Sequence, residues 1–354
     1  MKVLVVGPSD TKGRGGMSSV IKDIRNSKLL NDKFELDVFA SCIDGNAVAR
    51  RLFSVGAYIK FLSICKNYDV IHIHAASRGS TLRKGLYLNA AKRHNKKVIL
   101  HIHGARYMTY YEAASKAMQK KIVQILHAAD VVVALSNTWK QTFEDAFALT
   151  NCVSVENGVD TESLVPAITD NAQFNKNFVS LGRLGQRKGS YDLVEAVAKA
   201  KNIVSDIKVY LAGDGEIEQV KALVAEKGLQ KNIEIVGWIN FPQKIELLKQ
   251  CATMVLPSYN EGLPMAILES MACGKAIIST PVGAIPEVVA PENGILVEPG
   301  DVDALAAALV RYAQEPQLLQ EISVCNQQKI RQSYSTEAMH QKLAELYELA
   351  DQAK

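Results

Sequence analysis

Asn177-Phe-Val-Ser-Leu-Gly-Arg-Leu-Gly-Gln-Arg-Lys-Gly189 carries an apolar run into a turn with three glycines, and Ser190–Lys201 then takes helical spacing. A strand that is apolar without alternation needs cover on both faces, which a parallel sheet between helices supplies. The same rhythm continues outward. Lys208–Gly213, Ile233–Gly237, Thr253–Pro257, Ala276–Ser279 and Ile295–Glu298 read as strands, with helices predicted at Ile217–Lys227, Gln243–Gln250, Met265–Cys273 and Ala304–Gln314. In the first half, Val3–Gly7, Glu35–Ala40, Val70–His74, Lys97–His101, Val131–Leu135 and Cys152–Glu156 read as strands. Between them Met17–Leu30, Ala49–Lys66, Thr81–Arg93, Tyr111–Ala128 and Asn137–Ala148 carry helical spacing. The spacing predicts an α/β chain of two doubly wound, Rossmann-like domains. The boundary falls at Thr161–Lys176, where Pro166 and a polar run interrupt both patterns. Domains are expected at 1–165 and 166–334, facing a central cleft that is the default ligand site, with a helix over 335–354 packing back on the first.

At 354 residues, two domains are the prior expectation, and 48% hydrophobic with 22% charged residues excludes disorder and simple repeats. No apolar run approaches the roughly 18 residues that a membrane span needs, and the opening strand is too short for a signal segment. Six cysteines without a C-x-x-C pair argue against a disulfide framework or a zinc site, which implies reduced thiols in a cytoplasmic protein. Charge is uneven: residues 1–165 hold 23 basic and 14 acidic side chains, and residues 50–121 hold 15 basic and two acidic ones. Such a concentration of one sign points the first half towards an anionic partner.

Glu261-Gly-Leu-Pro-Met-Ala-Ile-Leu-Glu269, closed by Gly274, predicts a buried helix with Pro264 in its first turn. Glu261 lies beside free helix-start amides, which attract phosphate. Glu269 lies roughly 7 Å further along at 1.5 Å per residue. There it could hold a hydroxyl pair of a ligand, or pair with a core Arg or Lys. Arg183 and Lys188, flanked by Gly182, Gly185 and Gly189 at a strand exit, could converge on an anion. Gly13-Arg-Gly-Gly16 would let backbone approach a phosphate, but neither a G-x-G-x-x-G nor a Walker-type motif is present. His72-Ile-His74 and His101-Ile-His103-Gly104 close two strands; without an intervening carboxylate a zinc site is not expected. His103 is the pair member favoured for ligand contact, and His72 reads as a core residue. Asp301-Val-Asp303 opens a helix and reads as a cap, not a metal site.

Taken in order, Gly15-Gly16, His101-Ile-His103-Gly104, Val155-Glu-Asn-Gly158-Val-Asp160, Gly182-Arg183…Lys188-Gly189, Ala212-Gly-Asp-Gly215, Gly237-Trp238, Glu261…Glu269 and Asn293-Gly294-Ile-Leu-Val resemble the family-4 retaining glycosyltransferases of the GT-B fold. That resemblance implies a nucleotide-sugar donor, a UDP-sugar being favoured, and no cofactor or metal. It implies that Arg183 and Lys188 neutralise the donor diphosphate, Glu269 holds the ribose and Glu261 faces the sugar. Gly262 and Leu263, with Pro264 behind them, would touch the distal phosphate or sugar, and Gly15 and Gly16 would face it from the first domain. His103 would contact the sugar near the reacting carbon, and the base would rest on Gly237, Trp238 and Ile239 near Gly213.

The first domain of this fold takes the acceptor, and here it is basic. Arg50-Arg-Leu-Phe-Ser-Val-Gly-Ala-Tyr-Ile-Lys-Phe-Leu mixes cations with Leu52, Phe53, Tyr58, Phe61 and Leu62. Such a segment fits either an anionic leaflet or a core with solvated cations around it. An acceptor on a lipid-linked glycan, in capsule or exopolysaccharide assembly on the inner face of a membrane, is one expectation. A sugar-nucleotide epimerase and a non-catalytic sugar-nucleotide-binding subunit stay open as alternatives. No nucleic-acid recognition motif is present.

Overall fold

A computed structural model describes residues 1–11, 16–77, 79–104, 107–167 and 175–352, the side chains at 47, 351 and 352 excepted. The chain divides into two compact units, Met1–Gly158 with Thr336–Lys354, and Val159–Ser335.

Unit 1 runs β1 (Lys2–Pro8), α1 (Gly16–Asn26), α2 (Lys28–Lys33), β2 (Glu35–Cys42), α3 (Ala47–Ile64), β3 (Val70–Ala75), α4 (Gly79–Arg93), β4 (Lys97–Ile102), α5 (Tyr107–Glu112), α6 (Lys116–Ala128), β5 (Val131–Ala134), α7 (Asn137–Phe147) and β6 (Cys152–Ser154). Its sheet is parallel, in the order β2-β1-β3-β4-β5-β6. One face packs Ala57, Phe61, Tyr87 and Phe143. Unit 2 runs α8 (Thr161–Leu164), β7 (Asn177–Leu181), α9 (Ser190–Ala200), β8 (Lys208–Ala212), α10 (Ile217–Glu226), β9 (Ile233–Gly237), α11 (Phe241–Gln250), β10 (Thr253–Leu256), α12 (Met265–Ala272), β11 (Ala276–Ser279), α13 (Ile285–Val288), β12 (Gly294–Leu296), α14 (Val302–Gln314) and α15 (Pro316–Ser333). Its parallel sheet has the order β12-β11-β10-β7-β8-β9, so strand order reverses between β7 and β10. Ligands of open α/β sheets bind at the carboxyl ends of strands flanking such a reversal. The last helix, α16 (Thr336–Gln352), belongs to unit 1, where Met339, Leu343 and Tyr347 share a core with Val3, Val5 and Ile99.

Three helix expectations need correction. Met17–Leu30 is two helices, because the Ser27 side chain accepts from the Leu30 amide and so opens α2. Tyr111–Ala128 is likewise two, with Ser115 capping α6 through the Met118 amide. A hydroxyl that satisfies a free amide starts a helix where apolar spacing alone would run through. The 18-residue helix α15 has no counterpart in the sequence reading. Few of its positions are apolar and buried, and its hold is partly polar: Asn326 donates to Lys275 O at 2.8 Å and accepts from Asn293 at 2.9 Å. Asp301 caps α14 by accepting from the Ala304 amide at 2.9 Å, as expected. All six cysteines are free thiols, with Cys65, Cys152, Cys251 and Cys273 buried.

Candidate active site

β7 and β10 flank the strand reversal of unit 2, and the segments leaving them are pressed together. Gly189 has φ +67°, and a Cβ there would lie 2.0 Å from Pro257 O, so only glycine lets the turn after β7 lie against the exit of β10. Gly213, with φ +156°, is held in the same way: its Cβ would fall 1.9 Å from Gly182 O. Between these contacts Gln186–Lys188 form a single tight turn, closed by the Gly185 amide donating to Ser190 Oγ at 3.0 Å.

That turn aims its side chains. Lys188 Nζ donates to Glu261 Oε1 at 2.6 Å. Arg187 Nη1 lies 3.5 Å from the same oxygen and donates to Asn260 O at 3.0 Å. The Glu261 side chain is 8% exposed and that of Lys188 15%, so this pair is largely shielded from solvent, whereas Arg187 is 36% exposed. Arg183 is not part of it: its guanidinium is 70% exposed and stands 3.6 Å from Asp214. The expected convergence of Arg183 and Lys188 is therefore a division. One cation is held on a buried carboxylate, and the other is solvated beside Asp214. Burial gives a charge a low-dielectric setting, where its pairing is strong and a competing anion is felt strongly.

Glu261, expected beside the transferred sugar, is engaged with two cations. Gly262 O accepts from the Ala284 amide at 2.9 Å, and Leu263 and Pro264 are buried ahead of α12. Pro264 stands at the N-cap and Gly274 (φ +72°) just past the end, so the helix spans the predicted stretch. Glu269 bonds Lys244 Nζ on α11 at 2.7 Å, and both side chains are about a fifth exposed. The carboxylate thus has a cationic partner at the edge of unit 2, not in its core, and keeps lone pairs for further donors. Gly237 O accepts from the Gly213 amide at 2.7 Å, which joins the two turns expected to seat a base. Trp238 beside it is 72% exposed. Arg187 and Lys244 escaped the sequence reading. Arg187 had a signal in its place next to Lys188, whereas nothing in the spacing links Lys244 to Glu269.

In unit 1, β3 and β4 pair with His74 opposite His101, so His72, His74, His101 and His103 share one face. His72 Nδ1 meets Tyr347 OH at 2.7 Å, His72 Nε2 meets His101 Nδ1 at 3.3 Å, and His74 Nδ1 meets His103 Nε2 at 2.8 Å. Burial lowers the basicity of all four rings, to about 3 for His72 and His103. His103 is therefore neutral at pH 7 and interacts through hydrogen bonds, not charge. Nitrogens of His72, His74 and His101 lie within 4.8 Å of one another. Neutral imidazoles suit borderline divalent metals, so the structure brings together a grouping that the sequence argued against; His72 Nε2 and His101 Nδ1 bond each other, whereas His74 Nε2 and His101 Nε2 are buried without a hydrogen-bond partner. A Cβ on Gly104 would sit 2.9 Å from Ser77 N, so the loops leaving β3 and β4 touch. Gly16 opens α1 with free space around it, whereas Gly15 lies outside the described residues.

Residues 175–315 match the family described as "Glycosyl transferases group 1", and residues 35–163 match "Glycosyltransferase Family 4". The chain is 26% identical over 258 residues to 2-deoxystreptamine N-acetyl-D-glucosaminyltransferase of Niallia circulans, covering 68% of this chain and 66% of that protein. It is 26% identical over 275 residues to UDP-Gal:alpha-D-GlcNAc-diphosphoundecaprenol alpha-1,3-galactosyltransferase of Escherichia coli, covering 71% of this chain and 67% of that protein. Across the curated relatives it matches, the chain commonly spans two thirds of their length or less. Among solved structures, Anabaena HepE in complex with UDP superposes with a TM-score of 0.79 at 19% identity, over 98% of this chain and 100% of that one. At that identity the likeness establishes the fold.

Proposed function

This chain belongs to the family-4-type glycosyltransferases of the GT-B fold, and from that membership we propose that it transfers a hexose from a UDP-sugar to a glycan acceptor, with retention and without a metal ion. The observation that carries the reading is the Lys188–Arg187–Glu261 cluster at the strand reversal of unit 2. As the glycosidic bond to the diphosphate breaks, negative charge gathers on the departing oxygens and positive charge on the sugar carbon. Cations already fixed where that charge develops lower the barrier without reorganising. Lys188 is held in position by Glu261, and Arg183 closes on the diphosphate from the rim. Glu269 accepts from the ribose hydroxyls, Trp238 and Ile239 meet the base, and backbone at Gly262 and Leu263 meets the distal phosphate.

His103, as a neutral ring, hydrogen-bonds the sugar. The leaving phosphate takes the acceptor's proton, so no carboxylate base is assigned. HepE was solved with UDP, which supports a UDP-sugar donor here, and the Escherichia coli relative, named for a UDP-Gal donor and a GlcNAc-diphosphoundecaprenol acceptor, supports both that donor class and a lipid-linked acceptor.

The test is a panel of nucleotide sugars with the purified chain, with and without EDTA, read by anomeric NMR of the product. The expected result is one UDP-sugar consumed only with acceptor, an unchanged anomeric configuration and full activity in EDTA. Conversion of the donor sugar without acceptor would make the chain an epimerase, and donor binding without turnover would make it a binding subunit. A rate restored only by Mg2+ or Mn2+ would remove the fixed-cation mechanism.

A further inference from the structure

The helix α3 is apolar on two sides. Inward, Ala57 and Phe61 are buried, and the Phe61 ring packs against Phe39 and Tyr87 at 6.0 and 4.8 Å between centroids. Outward, Val48, Leu52, Val55, Ile59 and Leu62 are between 41% and 70% exposed. Their spacing of four, three, four and three residues places them within about 40° of a common line at roughly 100° per residue, so they form one stripe along the helix. The sequence alone groups Leu52, Phe53, Tyr58, Phe61 and Leu62. The structure separates them, with Phe61 in the core, Tyr58 partly buried against Tyr87, and Leu52, Phe53 and Leu62 exposed. Scattered exposed leucines are ordinary, but a continuous stripe on one helix marks a surface that something covers.

The surroundings identify what covers it. The helix contains Arg50, Arg51 and Lys60 and no acidic residue. At its amino end a basin of about 950 Å³ is lined by Arg50, Arg51, Arg83, Ser80 and Val55, with the single carboxylate Asp44. Arg83 Nε is buried without a hydrogen-bond partner, which is costly for a guanidinium unless an anion reaches it. A second copy of this chain would set these cations against themselves, and no described helix is long and apolar enough to cross a membrane. A layer that is apolar beneath and anionic at its surface answers both the stripe and the basin.

We propose that α3 lies flat in the interface of an anionic phospholipid bilayer, with Leu52, Val55 and Ile59 among the acyl chains and lipid phosphates in the Arg50–Arg51–Arg83 basin. This sharpens the lipid-linked acceptor reading but stands on unit 1 alone, and its test needs no turnover. The full chain is floated with phosphatidylcholine vesicles with and without phosphatidylglycerol, at low and raised salt. Binding is expected only with phosphatidylglycerol, weakening as salt rises. Leu52→Glu with Ile59→Glu should lower partitioning by about tenfold or more. Arg50→Ser with Arg51→Ser should abolish the preference for the anionic lipid. Unchanged thermal melts and unchanged donor turnover on a water-soluble acceptor would show that the variants are folded. Absence of binding at low salt, stripe variants that float like the parent, or sedimentation showing that they abolish a dimer instead, would overturn the proposal.

Discussion

The two units handle charge in opposite ways. Unit 2 pairs its charged groups, Lys188 in the turn after β7 with Glu261, and Lys244 on α11 with Glu269 on α12. Unit 1 fills the ends of β3 and β4 with imidazoles that burial has discharged, buries Lys84 against Val6 O and Ser41 Oγ with its basicity lowered to about 7, and carries the exposed cations Arg50, Arg51 and Lys60 on α3. A charge that keeps a partner stays a charge and can be handed to an incoming phosphate. A buried ring with no acid beside it becomes a neutral hydrogen-bonding group. Under the proposed function, stabilising a leaving diphosphate falls to unit 2, and neutral contacts are what the histidine face of unit 1 offers.

The largest expected effect tests that division directly. Lys188→Ala should lower kcat/KM by about 100- to 1,000-fold, roughly 3–4 kcal/mol of transition-state stabilisation, while Lys188→Arg recovers part of it. Steady-state kinetics that match the parent would break the contrast. A second, intermediate effect belongs to unit 1. The four histidines bind protons less readily folded than unfolded, so the unfolded chain gains protons as pH falls. For His72 and His103 that contribution to stability is complete above the ordinary value of 6.5 and is lost as pH drops from there towards about 3, and for His74 and His101 it is lost in the same direction. Each adds a slope of up to about 1.4 kcal/mol per pH unit. Urea midpoints should therefore fall steeply between pH 7 and 5, and a flat profile would mean the rings are not buried as described. The smallest effect is expected at exposed Trp238, where Trp238→Ala should weaken donor binding by about 1 kcal/mol with no change in melting temperature; calorimetric titration reads the first and a thermal melt the second.

Much of this was legible along the chain because its physics is local. Continuous apolar runs such as Val70–Ile73 demand cover on both faces, and glycines at 182, 185 and 189 announce a tight strand exit. Helix ends were harder. Ser27 and Ser115 end and restart helices through single hydroxyl bonds that apolar spacing does not register, and α15 is anchored by Asn326, which no hydrophobic pattern highlights.

The site was legible as residue types at a turn, not as partners. Lys188 and Glu261 are 73 positions apart, and Lys244 and Glu269 are 25 apart. Only the reversal of strand order between β7 and β10 makes the first pair neighbours. The four histidines read as two pairs until the register of β3 against β4 set them on one face.

By itself the sequence determined two parallel α/β sheets, glycine-bearing strand exits, and a helix carrying Glu269, since each follows from the preferences of neighbouring residues. Tertiary structure alone decided which cation Glu261 holds, that the imidazoles are neutral, and which side of α3 stays uncovered. Those outcomes depend on distance and burial between segments far apart in the chain, and neither is encoded in the order of residues within any one segment.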